Sequence, residues 1–469
     1  NMGCRFESYL IHTLQGNTEA AAAAKAEMKA LMRGAVHSYL EYAIDYASAG
    51  MYEEAAQLLS FVTEENEATY PMVYYALGYF ASKMGKKDEA LNLYKKAETM
   101  CPDYCFPNKL EEVLMLNDAM SLNPEGAKAP YYLGNFHYAA RIYDEAIACW
   151  EKSASIDDTY PTVLRNLSLA YYNKQHNPQK ALATLEKAYN LDTTDARILM
   201  ELDQLYKKLR YPHRQRLDFL EAHADVVEQR DDLCIERITL YNQLGEYQKA
   251  YDLINSRKFH PWEGGEGKVT SQYLLCRVEL AKIAIREGRF ADAVRLLKET
   301  EKYPDNLGEG KLSMAEENDI HYWMGCAYEG LGEEALAKEY FTKATKGSAE
   351  PAIAFFYNDQ QPDKIFYQGL AWRKLGEEDK ARSRFNRLIK HGEKHLFDKV
   401  KIDYFAVSLP DLLIWDDDLN VRNQIHCNLV MGMGYLGLGD KEQARKFLSE
   451  VARLDINHQA GKQLLEMCG

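Results

Sequence analysis

The chain is poor in the residues that interrupt helices. Glycine (28) and proline (13) together make about 9% of its 469 residues, against an average of roughly 12%. That shortage excludes a sandwich or barrel built on many tight turns, and with 46% hydrophobic and 27% charged residues it excludes a disordered chain as well. Positive charge is also in short supply. Lys plus Arg number 57 against 71 Asp plus Glu, a net charge of −14, so binding of nucleic acid over the whole surface is disfavoured and only a local basic groove stays open. No window reaches the ~18 uninterrupted apolar residues of a spanning helix, and the start lacks a basic stretch followed by an apolar run. The opening Asn1-Met2-Gly3 reads as an internal cut or a cloning remnant. The nine cysteines, Cys4, Cys101, Cys105, Cys149, Cys234, Cys276, Cys326, Cys427 and Cys468, are odd in number and irregular in spacing. That is no disulfide framework; reduced thiols and a cytoplasmic compartment are expected.

Catalytic signatures are missing too. There is no Gly-x-Ser-x-Gly elbow and no dinucleotide Gly-x-Gly-x-x-Gly after a strand. Gly308-Glu309-Gly310-Lys311 lacks the spacing of a phosphate loop. His391-Gly392-Glu393-Lys394-His395 has two histidines at i and i+4, but Gly follows the first where a zinc protease needs Glu, so solvated helix-end histidines are expected. Cys101 and Cys105 lack further ligands for a metal, and Asp416-Asp417-Asp418 reads as an acidic loop or helix start. Glu263 and Glu266 could act as acid and base only inside a pocket that perturbs them. The chain is expected to be no enzyme by itself, with no cofactor and no metal.

What is abundant is self-similarity. At a soft prior of roughly 150 residues per domain the length suits three ordinary domains or one extended repeat array, and the pattern decides for the array. Tyr74-Tyr75-Ala76-Leu77-Gly78 is followed by Gly85, Ala90, Tyr94, Ala97 and Pro102; Tyr132-Leu133-Gly134 by Tyr143, Ala146 and Trp150. Later copies centre on Gly245, Gly288, Gly325 with Gly332, Gly369 with Gly376, and Gly432 with Gly439. An early copy turns at Gly50, another runs Leu167, Tyr171, Ala181, and a degenerate one over Leu202–Leu220 lacks the mid-turn glycine. Gly78, Gly134, Gly325, Gly369 and Gly432 are expected where two helices approach closely, with the Ala about twelve residues on as the matching small residue. The glycines at 50, 85, 245, 288, 332, 376 and 439 are expected to end the first helix of each pair in the left-handed conformation. Aromatics two residues beyond several of them should fill the wedge between neighbours.

This pattern resembles the tetratricopeptide repeat family over roughly Val36 to Asn457. The resemblance implies an all-α fold, a right-handed α-solenoid of about ten helical hairpins whose concave face binds peptides or partner domains. The expected organisation is capping helices at 1–35, a first array at 36–255 with an insertion at 101–129, a Gly-rich loop at 256–270, and a second array with a C-terminal capping helix at 271–469. On the groove, Tyr131, Asn135, Tyr138, Arg165, Asn166, Tyr172 and Asn173 are the candidate binding residues, because Tyr, Asn and Arg combine flat contact area with adaptable hydrogen bonding. Asn135 and Asn166 stand where chaperone-binding repeats keep clamp asparagines, but Tyr131 and Glu201 hold the companion basic positions. Recognition of a chaperone carboxylate is therefore not expected, and a chaperone adaptor is the weakest class. Many of these tyrosines would simply pack between helices.

Three inter-repeat loops are unusual. The run Arg257 to Val269 packs three glycines into four positions beside His260, Trp262, Glu263, Glu266 and Lys268; one repeat later come Asn306, Glu309 and Lys311, and then Asn358 and Asp359. Long loops of this composition either contact a ligand or another domain, or plug a gap with Trp262; both readings stand. The first two loops should share an edge of the array. With Arg230 to Leu233 and Glu201 to Tyr206, these loops resemble the C-terminal repeat region of large bacterial proteins of uncharacterised function that carry an N-terminal β-sandwich similar to carbohydrate-active enzymes. That resemblance implies the C-terminal part of a longer protein, with loops facing an upstream domain. The expected function is a scaffold binding a protein partner or its own upstream domain. The competing expectation is a part that completes a sugar site, with a glycan as ligand. Neither nucleic acid nor membrane is expected as a partner.

Overall fold

The computed structural model describes residues 2–63, 70–262, 264–313, 315–352, 361–401 and 414–469. Among them are α-helices, one short 3-10 turn at Asp305–Leu307, and no strand. Backbone contacts divide the chain into two units, Asn1–Asp192 and Thr193–Gly469. Unit 1 opens with α1 (Met2–Leu14) and α2 (Thr18–Met32), continues with hairpins α3/α4 (Val36–Ser48, Tyr52–Thr63) and α5/α6 (Met72–Lys83, Lys87–Glu98), inserts α7 (Leu110–Leu122), and ends with hairpins α8/α9 (Lys128–Ala139, Tyr143–Ile156) and α10/α11 (Pro161–Asn173, Pro178–Leu191). Unit 2 runs α12 (Ala196–Lys208), α13 (His213–Ala222), the short α14 (Ala224–Val227), α15/α16 (Asp231–Gln243, Tyr247–Asn255), α17/α18 (Lys268–Arg286, Phe290–Lys298), α19/α20 (Asn318–Gly330, Glu334–Ala344), α21/α22 (Pro362–Lys374, Glu378–His395), α23/α24 (Leu419–Leu438, Lys441–Leu454) and α25 (Gln459–Met467).

With α12/α13 counted as a pair, the described residues form ten hairpins, and each turns through a residue in the left-handed region. Seven of these are the glycines at 50, 85, 245, 288, 332, 376 and 439, with φ between 75° and 86°. The other three are Arg141 (φ 64°), His176 (φ 50°) and Arg210 (φ 63°). A side chain there costs roughly 1–2 kcal/mol, so the hairpin geometry persists even where the sequence stops signalling it.

The other glycine set sits where helices touch. A Cβ on Gly78 would meet the Tyr94 ring at 2.4 Å, on Gly134 Trp150 at 2.5 Å, on Gly325 Phe341 at 2.6 Å, on Gly369 Phe385 at 2.4 Å and on Gly432 Leu448 at 2.6 Å. The bulky partner is thus one turn beyond the conserved-spacing Ala (Ala90, Ala146, Ala337, Ala381, Ala444), which is itself buried. The wedge aromatics are in place as well: Phe290 lies over Gly330 of the following hairpin, and Tyr52 faces Phe80 at 6.3 Å. Each hairpin thus packs its two helices on each other and buries the rest of its apolar surface against its neighbours.

The two arrays are finished differently. In unit 1, Phe6 of α1 is 1% exposed and packs edge-on against Tyr46 of α3 at 5.1 Å and Phe61 of α4 at 6.1 Å. The inserted α7 is tied in by Asp118, which accepts hydrogen bonds from Tyr94 (2.6 Å) and Ser82 (3.2 Å). In unit 2 the end of the array returns to its beginning. Trp415, 1% exposed, donates its Nε1–H to the Glu201 carbonyl of α12 at 3.1 Å. Asp417 pairs with Lys208 at 3.0 Å, while Asp418 caps α23 through the Asn420 N–H at 2.8 Å. The acidic run is therefore a short loop ending in a helix cap: Asp416 and Asp417 precede the helix and Asp418 is its N-cap.

The histidine pair does close α22, whose last residue is His395, but both rings are half-buried rather than solvated. Gly392 between them lies so close to α23 that a Cβ would meet the Cys427 carbonyl at 2.6 Å. That approach brings His426 to 6.0 Å from His391, whose ring lies 4.6 Å from that of His395 at a tilt of 41°. Burial holds His391 below the ordinary histidine value.

Candidate functional site

The groove residues come together across α8, α9 and α10. Gly134 lets Trp150 of α9 lie flat on α8, and the indole Nε1–H then reaches the Asn135 side-chain oxygen (3.1 Å) and the Tyr131 carbonyl (3.2 Å). The same Asn135 oxygen accepts from Asn166 Nδ2 of α10 at 3.3 Å, and Asn166 in turn accepts from Arg165 at 3.2 Å. The result is a ladder of amides running from one first helix to the next. Its Asn135 Nδ2 group donates to no described residue. Tyrosines border it: Tyr138 lies 5.2 Å from Trp150 and 5.0 Å from Tyr143, and Tyr131 meets Tyr160 edge-on at 5.1 Å. Exposure separates the seven. Tyr131 and Asn173 are buried (5% and 9%) and act from within; Asn135, Tyr138, Arg165, Asn166 and Tyr172 are half-buried. Sequence reasoning missed Trp150 and Tyr160 as organisers, although Trp150 stands sixteen residues after Gly134, as Tyr94 does after Gly78.

The two Gly-Glu-Gly-Lys loops meet on one edge of unit 2. Phe259 N–H donates to the Asn306 carbonyl at 2.7 Å, and the Asn306 amide closes the end of α16 by donating to the carbonyls of Ile254 (2.8 Å) and Arg257 (2.9 Å). Gly308, at φ 78°, lies so close that a Cβ would meet the Phe259 carbonyl at 2.6 Å. Glu309 accepts the Gly267 N–H at the start of α17 (2.9 and 3.2 Å). Burial holds its carboxyl above the usual range, and the Gly267 N–H pulls it partly back. Lys311 bridges Glu317 (2.5 Å) and the Glu301 carbonyl (3.2 Å). Asn306, Glu309 and Lys311 thus fasten the joint. The outward set is His260, Glu266 and Lys268, all exposed, with Trp262 half-buried against Gly265. Asp231 of α15, part of the Arg230–Leu233 motif but given no binding role from the sequence, holds the His260 N–H at 2.8 Å and pairs with Arg257 at 2.5 Å. Glu263, Asn358 and Asp359 lie outside the described residues. Beside this edge is an open cleft of about 560 Å³ lined by Tyr251, Tyr273, Tyr303, Lys298 and Lys302 among others.

No group of three or more His, Cys, Asp or Glu side chains among the described residues is arranged to hold a metal ion. Cys105, one of the spaced pair, is buried, which pushes its thiol up to about 12. No helix among the described residues is long and apolar enough to cross a membrane.

Family models for the tetratricopeptide repeat match residues 73–104 and 319–346, and a second such model matches 365–391. The chain carries tetratricopeptide repeats. The matched stretches fall on the α5/α6, α19/α20 and α21/α22 hairpins, each of which has both glycines in register, as the unmatched α23/α24 hairpin also does. Solved tetratricopeptide-type structures are similar at low identity. PilF of Pseudomonas aeruginosa is 19% identical, over 47% of this chain and 90% of that one, with a TM-score of 0.28. YrrB, described as a TPR protein with an unusual peptide-binding site, is 19% identical over 42% and 88%, TM-score 0.21. MamA from Desulfovibrio magneticus RS-1 is 17% identical over 42% and 97%, TM-score 0.24. Likenesses of that size carry nothing about the shape or the partner of this tetratricopeptide chain. Proteins built on these repeats are generally protein-interaction scaffolds and typically non-catalytic.

Proposed function

We propose that the chain is a non-catalytic scaffold whose unit 1 binds an extended polypeptide segment along α8 and α10. The observation that carries this reading is the Asn135–Asn166 ladder. Two amides on successive first helices are fixed at 3.3 Å by a buried indole and bordered by tyrosine rings, leaving the Asn135 Nδ2 group as an unspent donor. Amides fixed in this way recognise peptide main-chain groups without demanding a particular side chain, and the rings supply flat contact area at low entropic cost. A second contact surface, for a partner or an upstream segment of the same protein, is the loop edge, where His260, Trp262, Glu266 and Lys268 project from a joint stiffened by Asn306 and Glu309.

A displayed peptide library panned on the wild-type protein tests the main reading. Enriched peptides are expected to bind Asn135→Ala/Asn166→Ala at least tenfold more weakly at unchanged helicity. Equal binding to the two proteins defeats the reading.

A further inference from the structure

The turn that follows α24 is held like a bound ligand. Asp455 accepts the Asn457 N–H at 2.8 Å, so Asp455-Ile456-Asn457 forms an Asx turn by itself. The whole rim of Asn457 is then engaged by the first helices of unit 2. Its Oδ1 meets His213 Nε2 at 3.1 Å and Arg216 Nη1 at 3.4 Å. Its Nδ2 donates to the Lys207 carbonyl at 3.4 Å, and its own carbonyl accepts from Gln243 Nε2 at 2.6 Å. On either side, Arg210 donates to the Leu454 carbonyl at 2.5 Å and Lys462 to the Gln243 carbonyl at 2.6 Å. Lys207 and Gln243 lie at the ends of α12 and α15, where the last helix carbonyls have no intrahelical partner; the Lys207 carbonyl also accepts the Arg210 N–H of the turn at 3.1 Å.

The receiving side is assembled independently of the turn. Arg216 is 1% exposed and is gripped by Asp203 (2.6 and 3.1 Å) and Glu236 (2.7 Å), with Lys207 closing on Glu236 at 2.9 Å. Burial opposes the guanidinium charge, and the two carboxylates overcome it. One edge of the fork is left to face Asn457. The Nη1 donor that the two carboxylates leave over is the one that reaches the Asn457 amide oxygen.

We propose that the edge formed by α12, α13 and α15 is a recognition site for an Asp-Xaa-Asn turn with a lysine five residues beyond the Asn, and that the chain's own Asp455–Lys462 segment is its resident occupant. The contacts are polar, directed at the turn's main chain and at one amide, so an equivalent turn on another polypeptide satisfies them equally. The resident turn wins because it is tethered, which gives it a high effective concentration. A partner carrying such a turn displaces it and opens unit 2. This site is distinct from the α8/α10 ladder, and neither residue of that ladder enters its test.

A fluorescent peptide of residues 451–463 is titrated into the full chain, wild type and Asn457→Ala/Lys462→Ala, and followed by anisotropy. The double variant is expected to bind it saturably and at least tenfold more tightly than wild type, and a peptide with Asn457→Ala is expected to bind neither protein. A double variant of wild-type helicity that binds the peptide no better than wild type overturns the proposal. Should the variant lose helicity, hydrogen exchange of the wild-type chain decides. Faster exchange over α25 with excess peptide supports the proposal, and unchanged exchange at the same excess overturns it.

Discussion

Units 1 and 2 use the same hairpin and finish it in opposite ways. Unit 1 is closed at its beginning by added helices, α1 and α2, whose Phe6 fills an aromatic nest with Tyr46 and Phe61. Its remaining polar and aromatic ladder at α8–α10 is left half-buried. Unit 2 adds nothing at its start. It brings its own end round, seats Trp415 against α12, and fastens Asn457 to α12, α13 and α15 over separations of 241 to 250 residues for its links to Arg216, His213 and Lys207. Two arrays with one local rule therefore present different surfaces, an accessible first-helix face in one and a self-occupied edge in the other. The repeat governs how neighbours meet and says nothing about how the ends are satisfied.

The sharpest way to break the comparison is at Arg216. Replacing it by Ala strands Asp203 in a buried site, where its carboxyl already stands above the usual range through burial. Loss of one partner of a buried ion pair costs about 3–5 kcal/mol. Hydrogen exchange is expected to lose protection over 193–469 while 1–192 keep theirs; equal loss in both would erase the distinction between the units.

Acid should act next, and on the same side. His213, His321, His391 and His458 are each held below the ordinary histidine value, in every case chiefly by burial, and all four belong to unit 2. A histidine whose folded pKa is depressed binds its proton more readily in the unfolded chain. Stability is therefore fully present above the unfolded value, about 6.5, and declines as pH falls through it toward the folded values. Melting followed at pH 7.5 and pH 5.5 is expected to show an earlier transition for unit 2 at the lower pH, and His213→Gln should remove part of that shift. No shift, or a rise, would contradict the assignment.

The smallest effect sharpens unit 1. Arg141 holds a left-handed turn where seven other hairpins use glycine, so Arg141→Gly is expected to stabilise the chain by about 1 kcal/mol. Denaturant titration reads the gain; a loss would mean that the Arg141 side chain contributes more than its backbone strain costs.

The residues that were legible share one property: their role is local. Gly78 and Gly85 announce a close approach and a turn because the hairpin recurs every few dozen residues, and the same reasoning set Gly308-Glu309-Gly310-Lys311 beside the earlier Gly-rich loop. Roles set by distant neighbours were not legible. Gly392 read as a flaw in a metal motif, yet it is the point where α22 touches α23. Glu309 and Asn306 read as ligand contacts, but their partners are the backbone groups of Gly267, Ile254 and Arg257. Asn457 gave no signal, because an Asp-Ile-Asn triplet looks like any helix connection until Arg216 is brought to it.

By itself, the order of residues determined the hairpin, its two glycine positions, the aromatic wedges and the all-helical class, since each depends on contacts within one repeat and the next. Tertiary structure alone decided which amides line up into a ladder, which loop side chains turn inward, and where the second array fastens itself. The ladder pairs Asn135 with Asn166 across 31 residues, the loop joint pairs Asn306 with Ile254 across 52, and the Asn457 links span more than 240; each pairing is set by which helices and loops packing brings together rather than by a recurring spacing along the chain.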